Sequence, residues 1–248
     1  MQNKTALVTG GTGGLGTAIC KTLADRGDIV IACHLPEEST EAGVWQAQLK
    51  DEGYDIKITA GDVSSFEDTR RMIVEIEKNY GWVDILINCA GITRDATLRK
   101  MDENDWDSVV KVNLGSVFNV TRQVIEGMTE RGFGRIVNIS SVNGQRGQFG
   151  QTNYSASKAG MHGFTMALAQ EAARKGVTVN SVSPGYIATS MTNAIPEEVR
   201  NDIVAGIPVG RMGEPQDIAR TIAFLTDEKS DYITGANIPV NGGLFMSF

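Results

Sequence analysis

Two histidines and three cysteines in 248 residues leave little room for several common chemistries. His34 and His162 stand apart. Neither falls in an HExxH pair, and no GxSxG elbow is present to start a Ser-His-Asp arrangement. Both read more simply as core or surface side chains. Cys20, Cys33 and Cys89 are odd in number, scattered and outside any CxxC pair. That argues against a disulfide framework and a thiolate metal site, so no metal is expected and a reducing cytoplasm is the simplest compartment. No apolar run nears the roughly 20 residues of a membrane helix. The net charge of −7 is spread along the chain, with neither the basic stripe of a nucleic-acid binder nor a polybasic membrane anchor. Nucleic acid and membrane are therefore not expected as partners. The first residues, MQNKTALVTGG, enter a strand at once, so no secretory signal is expected.

What is present is a steady alternation. Short β-branched runs (TALVTGG, DIVIACH, DIKITAGDV, WVDILINCAG, FGRIVNISS, VTVNSVSPG, GANIPVNGG) take turns with longer amphipathic segments. TAICKTLADRG closes on Gly27 as a helix closes on a C-cap glycine, and SSFEDTRRMIVEIEKNYG opens on a serine cap. Residues 101–132 read as one long helix, and 155–176 as another. Strand, helix, strand repeated in this way predicts an α/β fold: one doubly wound parallel sheet of about seven strands with helices on both faces. No linker, repeat or low-complexity block divides the chain, so residues 1–248 read as one domain.

The first strand runs into VTGGTGGLG, residues 8–16. Glycine lets a backbone turn tightly and approach a pyrophosphate without a Cβ in the way. The helix that follows offers free N–H groups and a positive dipole end to an anion. The spacing of Gly10, Gly14 and Gly16 is TGxxxGxG, a longer loop than GxGxxG. Three more strand ends carry polar or glycine residues: Asp62-Val63, Asn88-Cys89-Ala90-Gly91 and Pro184-Gly185. In open parallel sheets, ligands bind at these carboxyl ends.

A second feature lies further on. Tyr154 and Lys158 are four residues apart at a helix start, one turn from each other on the same face. A free phenol has a pKa of about 10 and gives up its proton reluctantly. A nearby ammonium favours the phenolate, so Tyr154 is expected to be more acidic than usual and to act as acid toward a carbonyl or base toward an alcohol.

TGGTGGLG, NCAG, Asn113 in KVNLGS, Ser141, and Tyr154 through Lys158 together resemble the short-chain dehydrogenase/reductase family over essentially the whole chain. Cys89 stands where that family usually has a second asparagine. The resemblance implies a Rossmann-type fold and four catalytic residues: Tyr154 as acid, Lys158 also holding the nicotinamide ribose, Ser141 holding the substrate oxygen, and Asn113 steadying a water that resupplies protons. Ser141 is chosen over Ser140 because the family's serine lies thirteen positions before its tyrosine. The implied cofactor site runs from Gly10, Thr12, Gly14, Leu15 and Gly16 through His34, Asp62 and Val63. It continues along Asn88, Ala90 and Gly91 to Pro184, Gly185, Ile187 and Thr189, and it includes Tyr154 and Lys158.

The cofactor that the resemblance implies is NADH or NADPH. The second strand is followed by Glu37, Glu38 and Glu41 with no lysine or arginine nearby, which leans toward NADH. Within the family, the segments at residues 132–171 and 182–191 resemble members that reduce a short 3-oxoacyl thioester to the (R)-3-hydroxyacyl thioester. Asp95, Gln148, Phe149, Gln151 and Tyr186 are the substrate candidates by adjacency, beside Ser141 and Tyr154, and residues 190–213 are the candidate lid. A carrier-protein-borne substrate is the near rival, with Arg131, Arg135, Arg174 and Lys175 as docking cations. A cofactor-binding sensor without turnover is the rival from another class. The family commonly assembles as a homotetramer.

Overall fold

The computed structural model describes residues 3–189 and 197–246. Seven strands form one parallel sheet in the order β3-β2-β1-β4-β5-β6-β7: β1 Thr5–Thr9, β2 Ile29–His34, β3 Lys57–Ala60, β4 Ile85–Asn88, β5 Gly134–Ile139, β6 Val177–Pro184 and β7 Asn237–Val240. The chain starts in the centre, winds to one edge, returns, and winds to the other. The order reverses between β1 and β4, and the crevice of such a sheet opens there.

Helices cover both faces. α1 (Gly14–Asp25) and α2 (Ser39–Asp51) pack on one side. α3 (Phe66–Tyr80) packs on the other. Side chains alternate along each strand, so β1 sends Ala6 and Val8 to the first layer and Leu7 to the second. Both directions end in a packed core, which is why the strands read as continuous apolar runs rather than as alternating ones.

The long helix expected over 101–132 is present with an interruption. α4 (Glu103–Val110) passes into a wide π turn, Lys111–Gly115, before α5 (Ser116–Arg131) resumes. Asp102 caps α4, its side chain accepting from Asp105 N–H. Isolated π turns of this kind gather at functional sites, and this one carries Asn113 at its centre. The stretch 142–150 holds a short helix, α6 (Val142–Arg146). α7 (Thr152–Ala172) starts early enough to place Tyr154 inside its first turn. In the candidate lid, residues 190–196 lie outside the described residues, and α8 (Glu197–Ala205) follows them. α9 (Pro215–Leu225) opens on a capping box between Glu214 and Asp217. Among the described residues no helix is long and apolar enough to cross a membrane, and no three His, Cys, Asp or Glu side chains group as a metal ion would need.

Candidate active site

A cleft of about 1090 Å³ runs along the carboxyl ends of β1 through β6. Its first wall is made of backbone. Gly10 sits at φ +62°, and a Cβ there would come within 3.0 Å of Ala90 Cα. At Gly16 a Cβ would lie 2.2 Å from Gly10 O, a distance no structure tolerates. The turn therefore needs glycine at both positions. α1 begins at this turn with no side-chain cap and no acidic residue in its first turn. Its N–H groups and dipole are left for an anion. The cradle fits the pyrophosphate of a dinucleotide.

Thr9 staples this turn to the next strand end. Its Oγ1 accepts from the N–H groups of Cys89 and Ala90 at 3.0 and 3.1 Å. Sequence reasoning missed Thr9, because a strand-end threonine carries no signal until its neighbour is known. Gly11 was missed too: a Cβ there would strike Ala32 at 2.6 Å.

Of the residues assigned to the cofactor, all but Asn88 line the cleft. Asn88 turns into the sheet, where its Nδ2 donates to Asn138 Oδ1 at 2.8 Å and to Thr121 Oγ1 at 3.2 Å. It braces β4 against β5 and presents no side chain to the cleft. His34 is buried, and its Nδ1–H donates to Leu35 O at 2.8 Å. Asp62 accepts from Ser64 N–H and hydroxyl, which shapes the turn after β3. Beyond His34 the wall is made by Leu35, Glu38, Glu41, Ala42 and Trp45. Glu37 is absent from it. Trp45 holds the phosphate turn from behind, its Nε1–H donating to Thr17 Oγ1 at 2.9 Å.

The second wall is made of side chains. Ser141 at the head of α6 and Tyr154 and Lys158 on α7 all line it. Gly144 lets the two helices meet, since a Cβ there would lie 2.8 Å from the Lys158 backbone. Lys158 is buried, and its Nζ donates to Ile139 O at 2.7 Å. Asn113 is fully buried behind the cleft rather than on its surface. Its amide pairs with Ile92 in both directions, accepting from the N–H at 2.8 Å and donating to the carbonyl at 2.9 Å. It also reaches Ser157 Oγ at 3.3 Å. A Cβ on Gly91 would sit 3.2 Å from Asn113 Oδ1 and 3.4 Å from Lys158 Nζ. Asn113 thus fixes the loop that runs past the lysine.

The electrostatics correct one expectation. Tyr154 is not made more acidic than usual here. Burial raises its pKa first, the hydrogen bond with the Ser141 hydroxyl pulls it back, and the charges of Asp95 and Cys89 push it further up. Lys158 Nζ stands 5.6 Å from the centre of the Tyr154 ring and points to Ile139 O, so desolvation wins over attraction. Burial also drives Lys158 down to about 8, with Cys89 opposing. The phenol is neutral at pH 7, the state a proton donor needs.

Among the substrate candidates, Asp95, Gln151 and Tyr186 line the cleft with Ser141 and Tyr154. Gln148 and Phe149 do not. They lie on the exposed loop between α6 and α7, where Phe149 is 87% exposed. Gly147 at φ +74° and Gly150 at φ +78° flank that loop. Asn143, on the cleft wall beside Ser141, was missed.

The four proposed docking cations lie at the other end of the strands. Arg131 donates to Val83 O and pairs with Asp84, just before β4. Arg135 is only 2% exposed and donates to the carbonyls of Asp227 and Glu228. Arg174 and Lys175 precede β6. All four gather at the amino ends of strands, opposite the cleft.

Comparison with known proteins agrees with this architecture. The family model described as short chain dehydrogenase matches residues 4–200. An acetoacetyl-CoA reductase of Allochromatium vinosum is 63% identical over 97% of this chain and 98% of its own. One of Cupriavidus necator is 56% identical over 99% of this chain and all of its own. A 3-oxoacyl-acyl-carrier-protein reductase of Haemophilus influenzae is 43% identical over the full length of both chains. The family match begins before the phosphate turn and runs past the tyrosine and lysine of α7, so both walls of the cleft fall within it, and the chain belongs to the short chain dehydrogenase family.

Proposed function

We propose that this chain reduces acetoacetyl-CoA to (R)-3-hydroxybutyryl-CoA, using NADH in preference to NADPH. One observation carries the reading: Ser141, Tyr154 and Lys158 share one wall of a dinucleotide-sized cleft, in a chain 63% identical to an acetoacetyl-CoA reductase. A bound nicotinamide supplies the hydride. The chain's own residues do the rest. The Ser141 hydroxyl holds the ketone oxygen, and Tyr154, kept neutral by burial, passes its proton to that oxygen. The Lys158 cation steadies the phenolate that remains and holds the cofactor ribose. Asn113 keeps the Gly91 loop in place beside Lys158 and orders the water through which the proton is replaced. Tyr186 walls the acyl pocket. The described part of the candidate lid, residues 197–213, closes over it.

The preference for NADH rests on charge. Glu38 and Glu41 line the stretch beyond His34, where an adenosine ribose would lie. Among the described cleft residues Lys158 is the only lysine or arginine, so a 2′-phosphate would meet two carboxylates and no cation. A carrier-borne substrate is the second reading, favoured by the 43% identity to the acyl-carrier-protein reductase. The placement of the four basic residues away from the cleft weighs against it. We further read the chain as one catalytic domain working in the cytoplasm as a homotetramer.

Initial rates test the reading directly. Acetoacetyl-CoA with NADH is expected to exceed both acetoacetyl-CoA with NADPH and the carrier-linked substrate by about tenfold or more in kcat/KM. Faster turnover of the carrier-linked substrate transfers the chain to the second reading. No oxidation of NADH or NADPH with either substrate ends both.

A further inference from the structure

Asp95 and Gln151 face the cleft, yet they are engaged with each other. Gln151 Nε2 donates to Asp95 Oδ2 at 2.8 Å, and Gln151 Oε1 accepts from Asn143 Nδ2 at 2.9 Å. The main-chain N–H of Asn143 in turn donates to Ser141 Oγ at 3.1 Å. Three segments are linked in this way: the loop beyond β4, the head of α7 and the head of α6. The backbone secures the outer end, where Ala96 N–H donates to Gly150 O at 2.9 Å in a bridge between Ala96 and Gln151.

Chemistry fixes the direction of this chain of bonds. A carboxylate only accepts, so Gln151 must turn its nitrogen to Asp95 and its oxygen to Asn143. Asn143 must then turn its own nitrogen to Gln151. Among the described residues its Oδ1 is left buried without a hydrogen-bond partner. An orphan acceptor is costly. Flipping the Asn143 amide would not relieve it, because Oδ1 would then face Gln151 Oε1. The orphan is what a polarity imposed from Asp95 leaves behind.

We propose that Asp95 and Gln151 are positioning residues: Asp95 sets the orientation of an amide relay that, through Asn143, holds Ser141 in place for the substrate oxygen. The inference rests on the reductase reading above and assigns Asp95 a part played through its neighbours.

A charge-rearranging double variant tests it. The kcat and KM for acetoacetyl-CoA at saturating NADH are measured in the native protein, Asp95→Asn, Gln151→Glu and the double variant. Gln151→Glu alone sets two carboxylates against each other and is expected to lower kcat/KM about thirtyfold, mostly in kcat. Asp95→Asn alone frees either end of the new amide to face Gln151 and is expected to cost about threefold. In the double variant the carboxylate at 151 accepts from the amide at 95 on one side and from Asn143 Nδ2 on the other. The relay re-forms, and activity is expected within about threefold of native. Losses in the double variant that match or exceed the product of the single losses overturn the relay. So does a Gln151→Glu protein as active as the native one. Should Gln151→Glu fail to fold, a folded and active double variant supports the relay and one that also fails overturns it. If the native protein leaves acetoacetyl-CoA untouched the reductase reading falls; multiplicative losses in an active enzyme sink the relay alone.

Discussion

The two walls of the cleft are built on opposite principles. The phosphate wall works by what it lacks. Gly10 and Gly16 let backbone meet backbone at distances that any side chain would block, and α1 starts without a cap of its own. The proposed catalytic wall works by what it buries. Ser141 and Lys158 are almost wholly removed from water, Asn113 lies deeper still, and the titration of Tyr154 is governed first by that removal. A wall of the first kind fails abruptly when an atom is added. A wall of the second kind changes by degrees as charge and polarity change.

The sharpest separation of the two comes from Tyr154→Phe. It removes one oxygen from the second wall and touches nothing in the first. Turnover is expected to fall about 10³-fold, the scale of general acid catalysis. Nucleotide affinity, followed by the change in NADH fluorescence on binding, is expected to stay within about twofold, since phosphate contacts dominate that step. A parallel loss of affinity would mean that the walls are not independent. Gly16→Ala inverts the experiment. Its Cβ would lie 2.2 Å from Gly10 O, so the turn must open, and about a 100-fold loss of nucleotide affinity is expected. Gly13→Ala is the matched control. Its Cβ would meet Gly10 O at an ordinary 3.4 Å and its φ of −70° suits any residue. It should bind nucleotide almost normally, and an equal loss in both variants would remove steric approach as the cause.

The contrast also explains what could be read from the amino-acid sequence. The sheet, its seven strands and the phosphate turn were legible because glycine spacing and apolar periodicity state the geometry almost without remainder. The pairing of Tyr154 with Lys158 was legible because four residues make one helical turn. The substrate wall was not. Gln148 and Phe149 neighbour the tyrosine in sequence, yet the loop that holds them, between Gly147 and Gly150, is exposed and outside the described lining of the cleft. Asn143 and Thr9 act through partners 8 and 80 to 81 residues distant, and a sequence names no partners. The π turn at Asn113 was hidden for the same reason, since its amide closes on Ile92 across 21 residues. The sign of the Tyr154 shift was misjudged because spacing tells that an ammonium is near, while only packing tells how much water has left.

That last point yields the smallest expected effect and the most direct test of the second wall. Burial holds Lys158 near 8, below its ordinary value of 10.5. Below about pH 8 the folded protein carries a buried ammonium that the unfolded chain would solvate freely, so the full penalty is present there. Between pH 8 and about 10.5 the folded state sheds its proton first and the unfolded chain still holds one, so this residue's contribution to stability improves as pH rises through that window. Lys158→Met removes the penalty at the cost of the bond to Ile139 O. At pH 7 and fixed protein concentration it is expected to be more stable by about 2 kcal/mol in urea, after about 1 kcal/mol is returned for that bond. The advantage should shrink toward nothing by about pH 10, with turnover lost throughout. A stability gain that does not decline with pH would show that packing and not charge separates the two proteins. A catalytic wall that is less stable than an inert one is what a buried cation predicts, and the phosphate wall, which buries no charge of its own, should show no such pH dependence when Gly13→Ala is measured in the same way.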